Sequence, residues 1–405
     1  MITSLVQAKR NLWKYYTATF LGGLAFFYNT IDTLYYRHFS LSFAQIGLLA
    51  ALSAGVQLVL ELPSGAIADV YGKKKSLIVA SILLCLAVGA MTIGSSFTTF
   101  LIAFALWGAS GAFRSGADSA LLYDSLQHIE LESKYRTYTG RTKALSLSLD
   151  ILSAGLAPLL FGLNVRLPYL ISFIACAALV IVSFSFYEIN RNSARAQGLF
   201  VSNYKQVASA SREIVSHRLL LWLVLFNTLL FTAGGIFSEI IASPFMIEVK
   251  HYTLHEFAGV LIIANIIQTG VAFFADRIAR TVGVKGGFAL IGLGVPVLLV
   301  LLLLSPSLVT AGLFWGMIFA LWSFGEIVIS NDLAHNASDA QRATVFSFSS
   351  FTTSGLTLAA LPLAGLLATH TSLSTTLLTV AALFGVMSVT LLLLHGKAAR
   401  PPIRD

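Results

Sequence analysis

Five carboxylates lie inside long apolar runs of the sequence, where an ionised side chain is expensive. A charged group near the middle of a bilayer costs at least about 2.5–3.5 kcal/mol, so it usually faces a cavity and has a function there. A carboxylate that changes its protonation state and its partner can couple proton movement to the movement of a substrate. The candidates for this role are Asp32, Glu61, Asp118, Asp150 and Glu326.

The surroundings of these carboxylates separate their expected roles. Arg114 and Asp118 are four residues apart, which places them on one helix face and lets them pair, either as a structural ion pair or in the coupling cycle. Asp150 and Asp32 have no such neighbour, so they are predicted to be the better proton carriers. Glu61 directly precedes Leu62-Pro63, which leaves stabilisation of a helix end as an alternative.

Polar and aromatic side chains at helical spacing form a second set of candidates, for substrate binding. Tyr28, Asp32 and Tyr36 recur every four residues with Asn29 beside them, so they share a face that could line a cavity. Polar side chains also bond helix to helix without touching a substrate, and this alternative stays open. Arg114 and Asp150 join this set, and the candidates in the second half of the chain are Asn227, Asn265, Gln268, Trp322 and Glu326.

The composition predicts that a membrane surrounds these residues. The chain of 405 residues is 57% hydrophobic and 11% charged, whereas a soluble domain usually carries roughly 25% charged residues. Its apolar runs of about 20 residues are long enough to cross a bilayer as helices. The predicted fold is all-α and polytopic, with spans at 14–36, 43–67, 76–95, 98–127, 139–163, 166–187, 219–240, 255–275, 285–304, 308–331, 341–368 and 372–395.

A polar, basic stretch divides these twelve spans into two sets of six. It predicts an N-terminal bundle at 1–187, a cytoplasmic linker at 188–218 and a C-terminal bundle with a short tail at 219–405. Lys and Arg concentrate on the side of the N-terminus, and only Arg37, Arg166 and Lys250 fall on the other side. This asymmetry predicts cytoplasmic termini in an inner membrane, and it explains the net charge of +8 without nucleic acid.

The two sets of spans repeat one another. Five residues or residue pairs recur at nearly constant offset, which indicates a duplicated six-helix bundle, an architecture suited to alternating access. The pairs are Trp107-Gly108 with Trp315-Gly316, Asp69 with Asp276, Asp124 with Asp332, Arg136 with Arg342, and Pro158 with Pro362.

The stretch "ELPSGAIADVYGKKKSL" between the second and third spans resembles the signature G-x-x-x-D-x-x-G-[RK]-[RK] of the major facilitator superfamily. Gly65, Asp69, Gly72, Lys73 and Lys74 meet it, and Val70 stands where the family commonly has Arg. The resemblance implies a cytoplasmic gating latch at these residues. It extends the latch to Asp124 and Arg136, with a mirrored set at Asp276, Arg277, Asp332 and Arg342.

The same resemblance implies a secondary transporter, and "FRSGADSALLYDSL" is similar to the bacterial drug and metabolite efflux branch. The expected function is proton-coupled efflux of a small molecule by alternating access. Of the antiporter signature G-P-x-x-G-G, Pro158 and Gly162 match. Proton-linked import, carriage of lipids or siderophores, and a non-transporting sensor or scaffold stay open. The expected partners are substrate, protons and lipid, with a monomeric chain, no cofactor, no metal and no enzymatic activity.

Overall fold

The computed structural model describes residues 2–189, 214, 217–336 and 342–398. Its first part consists of α1 (Ile2–Ala25), α2 (Asp32–His38), α3 (Phe43–Tyr71), α4 (Lys73–Ile93), α5 (Phe97–Arg114), α6 (Ala117–His128), α7 (Tyr135–Leu163) and α8 (Leu167–Ser185). The second part consists of α9 (Arg218–Val249), α10 (Leu254–Phe273), α11 (Ala275–Leu304), α12 (Leu308–Asn336), α13 (Arg342–His370) and α14 (Leu373–Ala398).

Eleven segments of the described chain are long and apolar enough to cross a membrane. They fall on the second to twelfth predicted spans, and α1 with α2 covers the first. The protein is therefore an all-α polytopic membrane protein with the predicted twelve-helix layout.

The chain forms two compact units. The first contains Met1–Leu41 and Leu49–Ser202, and the second contains Ser42–Leu48 and Asn203–Asp405. The first turn of α3 therefore groups with the second unit. Most of the predicted linker lies outside the described residues, so its assignment stays a prediction.

Two of the predicted spans are interrupted. In the first span, the backbone N–H groups of Phe26, Phe27 and Asn29 donate to the carbonyl three residues earlier, which tightens the chain out of the α-helix between Ala25 and Asp32. In the fourth span, α5 and α6 are separated at Ser115-Gly116. Gly116 has a φ of 74°, which glycine adopts at little cost.

The helix of the seventh predicted span, α9, is longer than predicted. It continues through Glu239 and Pro244 to Val249, because two π-helical turns, Phe237–Ile241 and Phe245–Val249, carry the helix on. The predicted end at 240 was therefore wrong. The wider turns change the backbone pairing where Pro244 has no N–H to donate.

The repeated Trp-Gly pairs occupy corresponding close contacts in the two units. A Cβ at Gly108 on α5 would lie 2.2 Å from the backbone oxygen of Ser53 on α3. In the other unit, a Cβ at Gly316 on α12 would lie 2.8 Å from the Cα of Ala264 on α10. In each unit, the glycine of the Trp-Gly pair thus permits the close approach of two helices.

Arg37, Arg166 and Lys250, the three basic residues predicted on the side of the membrane opposite the N-terminus, each have a structural partner nearby. The Arg37 Nη1 donates to the Leu41 carbonyl at 3.2 Å, and the Arg166 guanidinium lies 5.6 Å from the centre of the Phe39 ring. The Lys250 Nζ donates to the Leu303 and Ser305 carbonyls at 2.7 and 2.8 Å, near the end of α11. Burial lowers the pKa of Lys250.

Candidate functional site

A cavity of about 270 Å³ lies inside the first unit, and charged and hydroxyl side chains interrupt its largely apolar lining. It is lined by residues of α1, α4, α5, α6, α7 and α8, so six of the eight helices of the first unit contribute to it. Its polar lining combines three charged side chains with several hydroxyls, which suits a polar ligand or ordered water. These residues are Arg114, Asp118, Lys143, Tyr15, Thr19, Ser81, Ser110, Thr139, Thr142, Ser146 and Ser183.

The interruption of the fourth span places Arg114 and Asp118 at this cavity. Arg114 is the last residue of α5, and Asp118 lies in the first turn of α6. The Arg114 Nε and the Asp118 Oδ2 are 3.7 Å apart, with the two side chains 46% and 35% exposed. This distance is longer than a hydrogen bond, so the pair is loose. Irregular backbone at membrane depth is tolerated where it lines such a cavity.

Asp150 lies on the stripe of α7 that lines the same cavity. Thr139, Lys143 and Ser146 contribute to the lining, and Asp150 follows them at the next helical repeat. Its side chain is exposed. The structure therefore places Asp150 one turn beyond the cavity, on the face that it shares with Lys143.

The predicted tyrosine face of the first span is used for packing inside the first unit. Tyr28 stacks on Tyr169 with ring centres 4.3 Å apart, and the Tyr169 hydroxyl donates to the Tyr36 hydroxyl at 3.2 Å. Tyr28 and Tyr36 are buried. Asp32 is half-buried at the start of α2 and accepts from the Thr33 N–H at 2.6 Å, whereas Asn29 is exposed. A substrate role for these four residues stays a prediction.

Glu61 lies within a helix and not at its end. α3 continues through Pro63 to Tyr71, and the Glu61 side chain is exposed. Next to the proline, the Ser64 Oγ lies within hydrogen-bond distance of the Glu61 and Ala112 carbonyls, at 3.1 and 2.8 Å, and the bond to Ala112 links α3 to α5.

A second cavity of about 320 Å³ lies within the second unit and includes two of the predicted substrate residues, Trp322 and Glu326. The Trp322 Nε1 is buried and has no hydrogen-bond partner among the described residues. Glu326 is exposed. A Cβ at Gly234 would lie 3.5 Å from the Trp322 ring, so the bare α9 backbone borders the indole. The remaining lining residues are Leu230, Phe231, Gly235, Ser238, Phe319 and Ser323.

The predicted amide ligands of the second unit make hydrogen bonds within that unit. The Asn227 Nδ2 donates to the Ser349 Oγ at 3.0 Å, and the Gln268 Nε2 donates to the Ser323 Oγ at 2.9 Å. The Asn265 Nδ2 donates to the Leu261 carbonyl of its own helix at 2.9 Å. Only the partner of Gln268, Ser323, lines the second cavity.

Glu239 is an intramembrane carboxylate that the sequence interpretation did not include. It lies in the first π-helical turn of α9, next to Ser238 of the second cavity, and it is half-buried. π-helical turns often occur at functional sites. The signal was present in the sequence, since the apolar run continues beyond Glu239 as "IIASPFMIEV".

The stretch that carries the predicted latch, residues 65–74, contacts other parts of the first unit. The Lys73 Nζ pairs with the Asp124 Oδ2 of α6 at 2.5 Å, so these two predicted latch residues are in contact. Gly72 has a φ of 101°, which requires glycine. A Cβ at Gly65 would meet nothing within 4 Å among the described residues.

Glu188, which follows α8, contacts this stretch and was not among the residues predicted from the sequence. Its Oε2 accepts from the Lys74 N–H at 2.7 Å, at the start of α4, and a Cβ at Gly72 would come 2.5 Å from the same oxygen. A carboxylate at this position satisfies one of the free N–H groups of the first helical turn.

The remaining latch predictions are only partly covered by the structure. Arg277 is exposed and Asp332 is half-buried, on α11 and α12 respectively. The side chains of Asp69, Arg136, Asp276 and Arg342 lie outside what the structure describes. Their gating roles stay predictions.

The pattern of the Major Facilitator Superfamily matches residues 15–331. The chain belongs to this family. It is a membrane transporter and not an enzyme. No curated protein matches the sequence.

Solved structures of transporters from this fold resemble the chain over nearly its whole length. A mutant of the nucleoside transporter NupG is 16% identical with a TM-score of 0.78, and covers 96% of this chain and 100% of its own. A D-xylose-proton symporter is 13% identical with a TM-score of 0.72, over 96% and 98%. A bacterial homolog of the human lysosomal transporter Spinster, inward-facing and occupied, is 15% identical with a TM-score of 0.70, over 98% and 99%. At these identities, the likeness concerns the fold.

Proposed function

We propose that this transporter exports a small molecule in exchange for protons by alternating access. The observation that carries the proposal is the cavity of the first unit, where Arg114, Asp118 and Lys143 meet inside membrane-spanning helices. Ionisable groups at such depth are costly and mark ion or substrate pathways.

The loose Arg114–Asp118 pair supports a coupling role over a purely structural one. At 3.7 Å and with both side chains partly exposed, the pair can separate at modest cost. An anionic group of a substrate or the second cation, Lys143, can replace one partner. Protonation of Asp118 would then release Arg114 for the substrate.

Asp150 is our principal candidate for the proton carrier. It shares the cavity-lining stripe of α7 with Lys143 and Ser146, and its exposed carboxylate can exchange a proton. In the second unit, Glu326 lines the other cavity, and Glu239 follows the lining residue Ser238 in the π-helical turn. Asp32 and Glu61 are the alternative carriers.

Efflux is proposed from the resemblance of the motif-bearing stretches to the efflux branch. Proton-linked import is the second candidate, and one specific observation favours it: a structure with the same fold is a D-xylose-proton symporter. Of the antiporter signature, only Pro158 and Gly162 match in this chain, which leaves room for symport.

Accumulation in vesicles with a pH gradient of either sign tests direction and coupling together. Antiport accumulates substrate in vesicles that are acidic inside, whereas symport accumulates it when the outside is acidic. The compounds would include lipophilic cations, sugars, nucleosides, amino acids and siderophore-like acids. We expect accumulation with an acidic interior, and its loss in the Asp150→Asn variant.

The matched control is Glu132→Gln, which removes a carboxylate from an exposed 3-10 turn. Gradient-driven accumulation that survives Asp150→Asn would move the proton role to Asp32 or Glu61. A folded protein that binds a compound but never accumulates one would contradict transport by proton coupling and favour a sensor or scaffold.

A further inference from the structure

Another cavity of the first unit lies apart from the candidate site, between the first half of α1 and the first turns of α7, with basic groups at a mostly apolar and aromatic lining. It has a volume of about 320 Å³. Its α1 residues recur at positions i, i+3, i+4 and i+7, so they form one face of the helix, and its α7 residues are three apart. The lining residues are Lys9, Leu12, Trp13, Tyr16, Tyr138 and Arg141. A different face of α1, with Tyr15, Ala18 and Thr19, lines the candidate substrate site.

The Tyr16 hydroxyl indicates that this cavity is built for a polar ligand. The oxygen is buried and has no hydrogen-bond partner among the described residues. Its ring lies between two other aromatic rings, with centres 6.2 Å from Trp13 and 5.8 Å from Tyr138. A buried hydroxyl without a partner is unfavourable, so an acceptor atom in the cavity would satisfy it.

The charges select an anion as that ligand. Lys9 lines the cavity from α1 and Arg141 lines it from α7, and no carboxylate is among the lining residues that the structure describes. Both cationic side chains are exposed, so they can reach a ligand that enters from outside. An ammonium, a guanidinium and a phenolic hydroxyl together form a donor set for phosphate oxygens.

The position of Trp13 indicates that the phosphate belongs to a lipid headgroup. The side chain is 75% exposed just before the predicted start of the first span at residue 14. Trp and Tyr are enriched at the level of the lipid headgroups, and basic pockets between membrane helices on the cytoplasmic side bind anionic headgroups. The distribution of Lys and Arg predicts that this end of α1 is cytoplasmic.

We propose that this cavity binds the phosphate of an anionic phospholipid headgroup. Lys9 and Arg141 hold the phosphate from opposite helices, and the Tyr16 hydroxyl donates to one of its oxygens. The exposed Trp13 ring lies beside the glycerol and the upper acyl chain. A bound lipid thereby joins α1 to α7, the two helices that also flank the candidate substrate site.

Lipid binding by the full-length protein in detergent tests the proposal. Native mass spectrometry and the melting temperature would compare phosphatidylglycerol with phosphatidylcholine of the same acyl chains. We expect preferential binding and stabilisation by phosphatidylglycerol. Removal of one basic side chain near a membrane surface corresponds to about a fivefold loss, so Lys9→Gln/Arg141→Gln should lose roughly twentyfold or more in affinity.

Two further variants separate this site from general surface charge and from misfolding. Tyr16→Phe keeps every charge and should still weaken phosphatidylglycerol binding several-fold. Arg10→Gln/Lys134→Gln removes two exposed basic residues that do not line the cavity, and it should bind like the wild type. Equal binding of the two lipids, or wild-type affinity in both the Lys9/Arg141 and Tyr16 variants, would overturn the proposal. The proposal would also be overturned if inorganic phosphate displaced phosphatidylglycerol and bound with the same affinity as the lipid. The cavity would then be a site for a free anion.

Discussion

The three consecutive lysines at the start of α4 have different environments. Lys73 pairs with Asp124, and the two side chains are 24% and 10% exposed. Lys75 is exposed, with its Nζ 5.8 Å from the centre of the Tyr71 ring. Both residues contribute equally to the distribution of positive charge, so only the contact with Asp124 distinguishes a latch residue from a topological signal.

Replacement of Lys73 should therefore destabilise the protein more than replacement of Lys75. Lys73→Met leaves the Asp124 carboxylate largely buried without its cation, which costs about 1–3 kcal/mol, whereas Lys75→Met should change the unfolding free energy by less than about 0.5 kcal/mol. Thermal melts of the two variants in the same detergent provide the measurement. The Lys73→Met/Asp124→Asn double variant should recover part of the loss; equal melting temperatures for the two single variants would refute the structural role of Lys73.

At the scale of the helices, the duplicated Trp-Gly pair links a sequence pattern to a physical requirement. Gly108 and Gly316 each leave space for a neighbouring helix backbone in their own unit. The pattern of identical residues was visible in the sequence, but the reason for the glycine was not, because the contact joins residues more than fifty positions apart.

Gly108→Ala should lower the melting temperature clearly. The added methyl group would lie 2.2 Å from the Ser53 oxygen, and overpacking of this kind costs about 1–3 kcal/mol. Gly140→Ala on α7 is the matched control, because a Cβ there would meet nothing within 4 Å among the described residues and alanine favours a helix. If Gly108→Ala melted at or above the temperature of Gly140→Ala, the close packing of α5 against α3 would be contradicted.

The helix interruptions show where the sequence was insufficient. Hydropathy identified the spans, because the bilayer sets their length whatever their neighbours are. It did not predict the turn after Ala25, the separation of α5 from α6 at Gly116, or the continuation of α9 through Glu239. These features depend on backbone pairing and packing, such as the stacking of Tyr28 on Tyr169, that a one-dimensional pattern does not contain.

The same limit applies to the candidate site. The pairing of Arg114 with Asp118 was predicted from one shared helix face, but the two residues lie on either side of the break at Gly116, and this break brings both to one cavity with Lys143. Tyr28 and Tyr36 share the predicted helix face, but that face packs inside the bundle. Spacing predicts which side chains share a face; it does not predict whether the face meets a cavity or another helix.

For the whole molecule, family membership shows a transporter, and each unit has a cavity with ionisable side chains in its lining, on which the proposed proton coupling rests. A proton-coupled carrier must be reversible, so a substrate gradient alone must move protons. The direction of that movement also separates the two candidate functions.

The most direct measurement is the internal pH of proteoliposomes when a transported compound is added outside with no initial pH gradient. We expect a rise in internal pH, because protons leave as substrate enters by antiport, and we expect no rise with Asp150→Asn. A fall in internal pH would establish symport and therefore contradict the proposed exchange. A substrate that enters the wild-type vesicles with no change in pH would contradict proton coupling itself.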